Sequence, residues 1–577
     1  MISFARNRFH VLLSVGLVAA VSSTVSYVAN ILISGRMLGA DSVSASAVIY
    51  PVVSGGVFLD MLVSGGAAYL YSRYQGEFKS ERAREVLGTA LFTTLATGFL
   101  LAVAMTLGRD AFLGLYNLSR PVYEEATRLW FWQTINLGTC PPIFLIWVLV
   151  IADGEVCWCV IGDAINMLVV ILGSVLFTRL THSAAGAIIS VIIGAVLSAA
   201  SLTPHFFKRS NSIHFKLFFS FRDLRELLSY AMSGSCARIC NAVLVLVLNG
   251  MVVHLSSSAN LPAVGMVMLT IEFGILLNRI GVSYMPVAEM YRGEENWGCV
   301  RSLARYATAV SGLVGLLILA FVCAFSRQIV GFCGITDPAV GTVARHALLI
   351  TAAALPVMSV FDFLCAHYLV MERVGMSTLF TVLEKLVFCS AGALLGGILL
   401  GVDGIWIGLA GGCAVSLALL VAYTRLFHRQ TYPLLIPAEK SSVLNVAFHP
   451  SVKRIIEIRR LAEKFLTSQH VPRPVVLRIM LMIEECAMLL IDNNGRKAEK
   501  MVAEGSFSVF PDHTQVVFRD TGSTYDITDG DTRVRGLRDF VIAELMQKRT
   551  DRRYLNTVGC NRATFAFPHT AAVKSKG

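Results

Sequence analysis

Ahead of residue 430 the chain runs through one apolar stretch of roughly 20 residues after another, separated by short polar loops. An α-helix needs about that length to cross a hydrocarbon core of about 30 Å. In lipid a helix satisfies its own backbone hydrogen bonds, which an isolated strand cannot do. Barrel strands would leave short alternating segments, and none is visible here. This feature commits most of the chain to an all-α polytopic membrane protein. Charged residues make up 15% of the sequence, against about a quarter in a soluble domain, and the deficit falls in this region.

Twelve spans can be placed, near 11–34, 43–71, 87–108, 129–151, 156–178, 184–204, 229–254, 261–285, 306–326, 347–370, 376–399 and 404–424. Arg6 and Arg8 precede the first, whose apolar run is longer than a signal peptide's, so it is read as a retained span. The formal charge of +11 would suit a nucleic-acid partner. The basic residues sit instead in short loops after spans two, six and eight: Arg73, Lys79, Arg82 and Arg84; Lys208, Arg209, Lys216, Arg222 and Arg225; Arg292, Arg301 and Arg305. That is the positive-inside pattern. It places both termini in the cytoplasm of a multi-pass inner (plasma) membrane protein in contact with lipid, and argues against nucleic acid. The thirteen cysteines are scattered, many of them inside apolar helices, where they act as small hydrophobes. Cys157 and Cys159 have no second pair, so no metal site is expected.

The membrane region repeats itself. Tyr74-Gln75-Gly76-Glu77 matches Tyr291-Arg292-Gly293-Glu294. The same register then pairs Gly114 with Gly331, Pro121 with Pro338 and Arg128 with Arg345. Further on, Gly154 pairs with Gly375 after a short insertion. Two halves of six spans share one orientation, so the pseudo-axis lies along the membrane normal, as in other parallel-repeat transporters. The halves are taken as 1–217 and 218–430, followed by a linker over 431–444. From about Pro437 the composition turns charged. Ile455, Ile458, Leu461 and Phe465 recur at helical spacing, as do apolar residues in 475–491, while 506–510, 515–519 and 563–567 alternate like strands. A further helix is expected near 536–548. Residues 445–577 therefore form a small cytoplasmic α/β sandwich domain.

The segment from Asn30 through Gly35 to Gly39, then Pro51, Gly65-Gly66, Gly76-Glu77, Ala185-Gly186-Ala187 and Gly404, resembles the multidrug and toxic-compound extrusion (MATE) family over about residues 8–427. The resemblance implies a secondary antiporter that expels small organic, often cationic, compounds in exchange for H⁺ or Na⁺, with no cofactor for transport. The wider superfamily also includes lipid-linked oligosaccharide flippases. Many members carry an aspartate where this chain has Asn30. An amide can ligate Na⁺ through its oxygen but does not titrate, which weighs against proton coupling at that place.

Ionisable residues inside spans are costly and point to function by default. Asp60, Asp163, Asp362 and Glu384 join Asn30 as candidates for cation coupling or substrate binding. Asp60 and Asp362 are preferred because they lie deeper in their spans. Asp163 and Glu384 each follow the paired glycine by nine residues, so the repeat places an acid at one equivalent position per half. A structural acid is the favoured reading for that pair. Glu272 and Arg279, seven apart on one helix face, are read as a structural pair that satisfy each other through water or an intervening group.

The tail resembles the GHKL class of ATP-binding domains, nearest to anti-sigma-factor serine kinases. The matching residues are Glu484-Glu485 on a helix, Asp520-Thr521-Gly522 after a strand, Gly536 opening a helix, and Asn561 before the last strand. By that resemblance Glu485, Asp520, Gly522, Gly536 and Asn561 would hold ATP. Leu489 stands where the family has its Mg²⁺-binding Asn, and an apolar side chain cannot ligate Mg²⁺. This departure weighs against ATP and more strongly against kinase chemistry. The tail is read as a regulatory or protein-partner-binding module, and the whole chain as a transporter with no catalytic residues. Two alternatives stay open: a lipid-linked saccharide flippase and a membrane-anchored nucleotide sensor or serine kinase.

Overall fold

A computed structural model describes residues 3–76, 79–116, 118–153, 156–207, 213–255, 260–335, 337–438, 442–523, 551–557 and 560–569. They fall into two compact units. One holds Leu13–Met285 and Ala304–Leu435; the other gathers Met1–Leu12, Pro286–Leu303 and Ile436–Gly577.

The larger unit is helical throughout. Its helices, of which α1, α9 and α10 run on into the smaller unit, are α1 (Phe4–Leu38), α2 (Ala40–Gly76), α3 (Ser80–Leu113), α4 (Arg120–Ala152), α5 (Val156–Thr181), α6 (Ala185–Ser201), the short α7 (Thr203–Phe206), α8 (Phe221–Leu255), α9 (Leu261–Arg292) and α10 (Trp297–Phe332). Then come α11 (Pro338–Ala352), α12 (Leu355–Val370), α13 (Val374–Val382), a π-helical segment Leu383–Phe388, α14 (Cys389–Leu400) and α15 (Val402–Phe427). Among the described residues eleven helices are long and apolar enough to span, and α11 with α12 makes a twelfth bent by 42°. The sequence suggests one span over 347–370 there. The break falls at Ala353–Ala354, where Pro356 opens α12 and has no N–H to continue the preceding ladder.

Small residues let neighbouring helices touch backbone to backbone, the usual device where lipid supplies no hydrophobic drive between helices. The α14–α15 seam shows it most clearly. A Cβ at Gly408 would lie 1.8 Å from the Gly392 carbonyl oxygen, and one at Gly396 would lie 2.0 Å from that of Gly404. Outward-facing leucines such as Leu107, Leu316 and Leu399 are exposed, a surface suited to acyl chains.

The smaller unit holds a five-stranded sheet of β1 (Ser442–Phe448), β2 (Ala503–Val509), β3 (His513–Asp520), β4 (Asp551–Thr557) and β5 (Cys560–Pro568). The order is β1-β2-β3-β5-β4, and every neighbouring pair is antiparallel. Helices α16 (Val452–Ser468) and α17 (Arg473–Asn494) bring Ile455, Ile458, Ile479, Ile483 and Leu490 onto the sheet residues Phe507, Val516, Phe518 and Phe565. Strands β2, β3 and β5 cover the segments that alternate in the sequence. β1 and β4 were not anticipated, and β1 opens at Ser442, inside the stretch read as linker. The helix expected near 536–548 lies outside the described residues.

The seam predicts a sharp contrast between two glycines. Gly408→Val should destabilise the protein by about 3 kcal/mol or more, because backbone blocks the new methyls. Gly411→Val, at a position with nothing near its Cβ, should change little. Thermal unfolding in detergent would show the difference, and equal midpoints would contradict this account of the seam.

Candidate functional site

The densest set of buried charge in the larger unit lies in its C-terminal half. Consecutive residues on an α-helix diverge by about 100°, yet Glu384 and Lys385 are both buried. They sit in the wider π-helical segment, a local irregularity often found at functional sites. Lys385 Nζ lies 3.3 Å from Glu384 Oε2 and 3.7 Å from Asp362 Oδ1, which α12 supplies. Glu384 is 0% exposed, and neither of its carboxylate oxygens has a hydrogen-bond partner. The group borders a cavity of about 20 Å³, lined also by Asn241, Thr270, Thr351 and Cys413. That is room for about one water-sized occupant. Thr270 and Thr351 share a 3.0 Å hydroxyl contact, and Cys389 and Cys413 approach to 3.5 Å.

The chemistry follows from the count. Two carboxylates and one ammonium leave one excess negative charge when all are ionised. A lone buried charge is expensive, so the excess favours one more cation, either a proton on a carboxylate or a small metal ion. Lys385 stands next to Glu384 in the chain. The structure makes it the bridge between the two acids, which α12 and the π segment bring together from 22 positions apart in the chain.

The other candidates stand apart from this triad. The Ser174 hydroxyl donates to Asn30 Oδ1, and Ser174 lies 2.8 Å from the Ser190 hydroxyl. These residues from α1, α5 and α6 form a neutral cluster of amide and hydroxyl oxygens. Asp60 on α2 is 6% exposed, and its Oδ1 has no hydrogen-bond partner. The main-chain carbonyl of Asp163 accepts the Ser22 hydroxyl at 2.7 Å, while its side chain feels the charge of Arg279. The direct neighbours of Glu272 are other groups than Arg279. Glu272 lies 3.4 Å from the Tyr50 hydroxyl and interacts electrostatically with Arg238 of α8. Arg238 escaped the sequence reading, although the intramembrane-charge rule that selected the acids applies to it equally.

In the tail, Asp520 and Asn561 are in-register neighbours on β3 and β5. Asp520 Oδ1 accepts from the Gly522 amide at 2.8 Å and from Asn561 Nδ2 at 2.9 Å. Asn494, at the end of α17, accepts from the Ser523 amide at 3.0 Å. A Cβ on Gly522 would lie 2.7 Å from Leu490 Cδ1 and 2.8 Å from Asn494 Nδ2, so this glycine accommodates the helix packed beside it. Three of the proposed nucleotide residues thus form one hydrogen-bonded set. Leu489 is partly buried against the apolar core. Glu485 lies on α17, and Gly536 lies outside the described residues. Burial pushes the Cys486 thiol up, and no group of three or more metal-ligating side chains occurs among the described residues.

Two segments of the chain, 16–141 and 235–388, match the MatE family model, one in each half of the membrane region. The fold is similar to an inward-facing multidrug resistance MATE transporter of the MOP superfamily. Identity is 17% over 71% of this chain and 96% of that one, with a TM-score of 0.62. An outward-facing MATE transporter structure gives 18% identity, 74% and 96% coverage, and a TM-score of 0.61. A MOP superfamily transporter from Pyrococcus furiosus, described for the reverse polarity of its binding pocket, gives 16%, 74% and 96%, and 0.63. These are likenesses of fold. No curated protein matches the chain.

The triad predicts an asymmetric pair of stability effects. Lys385→Met alone leaves two buried carboxylates unpaired and should cost about 3–5 kcal/mol. Adding Glu384→Gln should recover much of that loss. Chemical denaturation of the detergent-solubilised protein checks it, and a single variant as stable as wild type would show that Lys385 does not hold the acids.

Proposed function

We propose that this chain, whose membrane body matches the MatE family model in each half, is a cation-coupled antiporter that exports organic, cationic compounds across the inner membrane. The observation that carries the reading is the buried Asp362–Lys385–Glu384 triad with its one excess negative charge beside a cavity. In a six-plus-six parallel-repeat transporter, substrate binds between the halves and access alternates by rocking. Coupled exchange needs two states that differ in their affinity for each ligand. The cavity takes a proton or Na⁺; a cationic substrate competes for the same excess charge in a state that opens this site to the space between the halves, so binding of one favours release of the other. The neutral Asn30–Ser174–Ser190 cluster offers oxygen ligands but no proton. Coupling is therefore assigned to the C-terminal half.

The positive-inside pattern of the loops supports cytoplasmic termini, and in this reading the tail is a cytoplasmic module (445–577) that regulates transport or binds a protein partner. With Leu489 packed into the apolar core, the tail has no part in kinase chemistry in this reading. ATP, the ligand its resemblance implies, stays secondary. A second reading, movement of a lipid-linked saccharide, draws support from Arg238 and Arg279. Guanidinium groups deep in the membrane body would suit a pyrophosphate linkage.

Efflux of a fluorescent organic cation from proteoliposomes, driven by a proton or a sodium gradient, tests the assignment. Glu384→Gln should slow gradient-driven efflux by about tenfold or more, the equivalent of about 1.4 kcal/mol of lost coupling. Unchanged efflux in that variant would remove the triad from the coupling step. Failure of every organic cation, with transbilayer movement of a lipid-linked saccharide, would establish the second reading instead.

A further inference from the structure

The sheet of the smaller unit has two differently used faces. Ala503, Asp520 and Asn561 form one cross-strand rung and point with Phe507, Phe518 and Phe565 toward α16 and α17. The next rung, Glu504, Arg519 and Arg562, points to the opposite face. A charged face of a small cytoplasmic domain would ordinarily be solvated, yet Arg519 is 0% exposed and Glu504 is also buried. What covers them is the turn joining α9 to α10, which belongs to the same compact unit.

The fit is specific. Arg519 pairs with Glu294 and donates from Nη1 to Glu504 Oε2 at 2.6 Å. The Tyr291 hydroxyl donates to the same Glu504 oxygen at 2.6 Å, and the Arg519 guanidinium stacks 4.6 Å from the Tyr291 ring centre. Arg562 Nε lies 2.9 Å from Glu294 Oε1. Asn296 caps α10 by accepting the Cys299 amide, and its own amide donates to Asn445 of β1 at 2.9 Å. Burial pushes the Glu504 carboxyl up against the pull of Arg519. It also opposes the charge on Arg519, but Glu294, Tyr291 and Glu504 outweigh it and hold that guanidinium more firmly charged. Two acids and two arginines balance, as a buried network requires.

Tyr291 and Glu294 are the two residues of the repeated Tyr-x-Gly-Glu motif that the C-terminal half shares with Tyr74 and Glu77. The same helix α9 carries Thr270, which lines the triad cavity, and Glu272 and Arg279. We propose that Arg519 and Glu294 are positioning residues for transport: the tail grips the α9–α10 turn through this charged rung and restrains α9 and α10. Releasing the grip speeds the conformational cycle. The proposal rests on the reading of the tail as regulatory and gives that regulation a physical site.

The test uses the full chain in lipid nanodiscs and proteoliposomes. It compares wild type with Arg519→Leu, Glu294→Gln, the charge swap Glu294→Arg with Arg519→Glu, and the mild Tyr291→Phe. Hydrogen exchange is followed over 286–303, with α17 and β3 amides reporting whether the tail stays folded. Each single charge variant should raise exchange in the turn by about a hundredfold, as loss of one partner in a buried network implies. Efflux of the organic cation should rise at least about twofold, and the swap should bring both readouts back toward wild type. Unchanged exchange in the turn with the tail folded would overturn the grip while leaving regulation by another route intact. Faster exchange with unaltered efflux would overturn the positioning role and the regulatory reading together. If Arg519→Leu unfolds the tail, Tyr291→Phe decides, because it removes one hydroxyl donor and should still raise exchange in the turn.

Discussion

A charge removed from water must find its complement nearby, and the organisation of this chain follows from where those complements come from. In the membrane body the supply is scarce. Each ionisable side chain there sits in a medium that penalises it by several kcal/mol, and helices can deliver partners only from fixed positions along their faces. Asp362 and Glu384 are reconciled by one lysine placed in a π-helical irregularity. The solution is incomplete by one charge, and that incompleteness is the chemically useful feature. A balanced site would have no reason to take up or release a cation as its surroundings change.

The smaller unit meets the same constraint with the opposite outcome. Its buried rung carries Glu504, Arg519 and Arg562, and the α9–α10 turn contributes Glu294 and Tyr291. Here the charges of the acids and arginines are matched, two to two, so the network carries no excess charge. Matched networks of this kind contribute specificity of docking more than net stability. They are also sensitive to loss of any one member, which makes the rung a place where small changes have large local effects. On the proposed reading, the first cluster exchanges a cation, while the second holds two segments in register.

Much of this architecture is legible in the sequence because its causes are local. Span length, loop charge and the Tyr-x-Gly-Glu repeat each follow from a short window, and the helices observed run through every expected span. The bend at Ala353–Ala354 was not read, although Pro356 is the kind of residue that produces one. Strands β2, β3 and β5 announce themselves by alternation, whereas β1 straddles a presumed linker. Ionisable residues could be named one by one, but their pairings depend on which helices neighbour which. Arg279 was expected to be satisfied with Glu272, seven residues away on its own helix, and it also feels the charges of Arg238 on α8 and Asp163 on α5. The role of Lys385 likewise depends on α12 lying beside the π-helical segment. The second face of the sheet was beyond reach of any window, since its cover comes from more than two hundred positions earlier in the chain.

The central claim is that the triad carries one negative charge which a proton and a cationic substrate contest. Proton release can be followed directly with a pH-sensitive dye in weakly buffered, purified full-length protein as a saturating organic cation is added. The account predicts about one proton released per chain in wild type at neutral pH and none in Glu384→Gln, with a sodium-selective response taking its place if Na⁺ is the coupling ion. Substrate binding with neither proton nor sodium released, in a protein that binds the cation tightly, would contradict it.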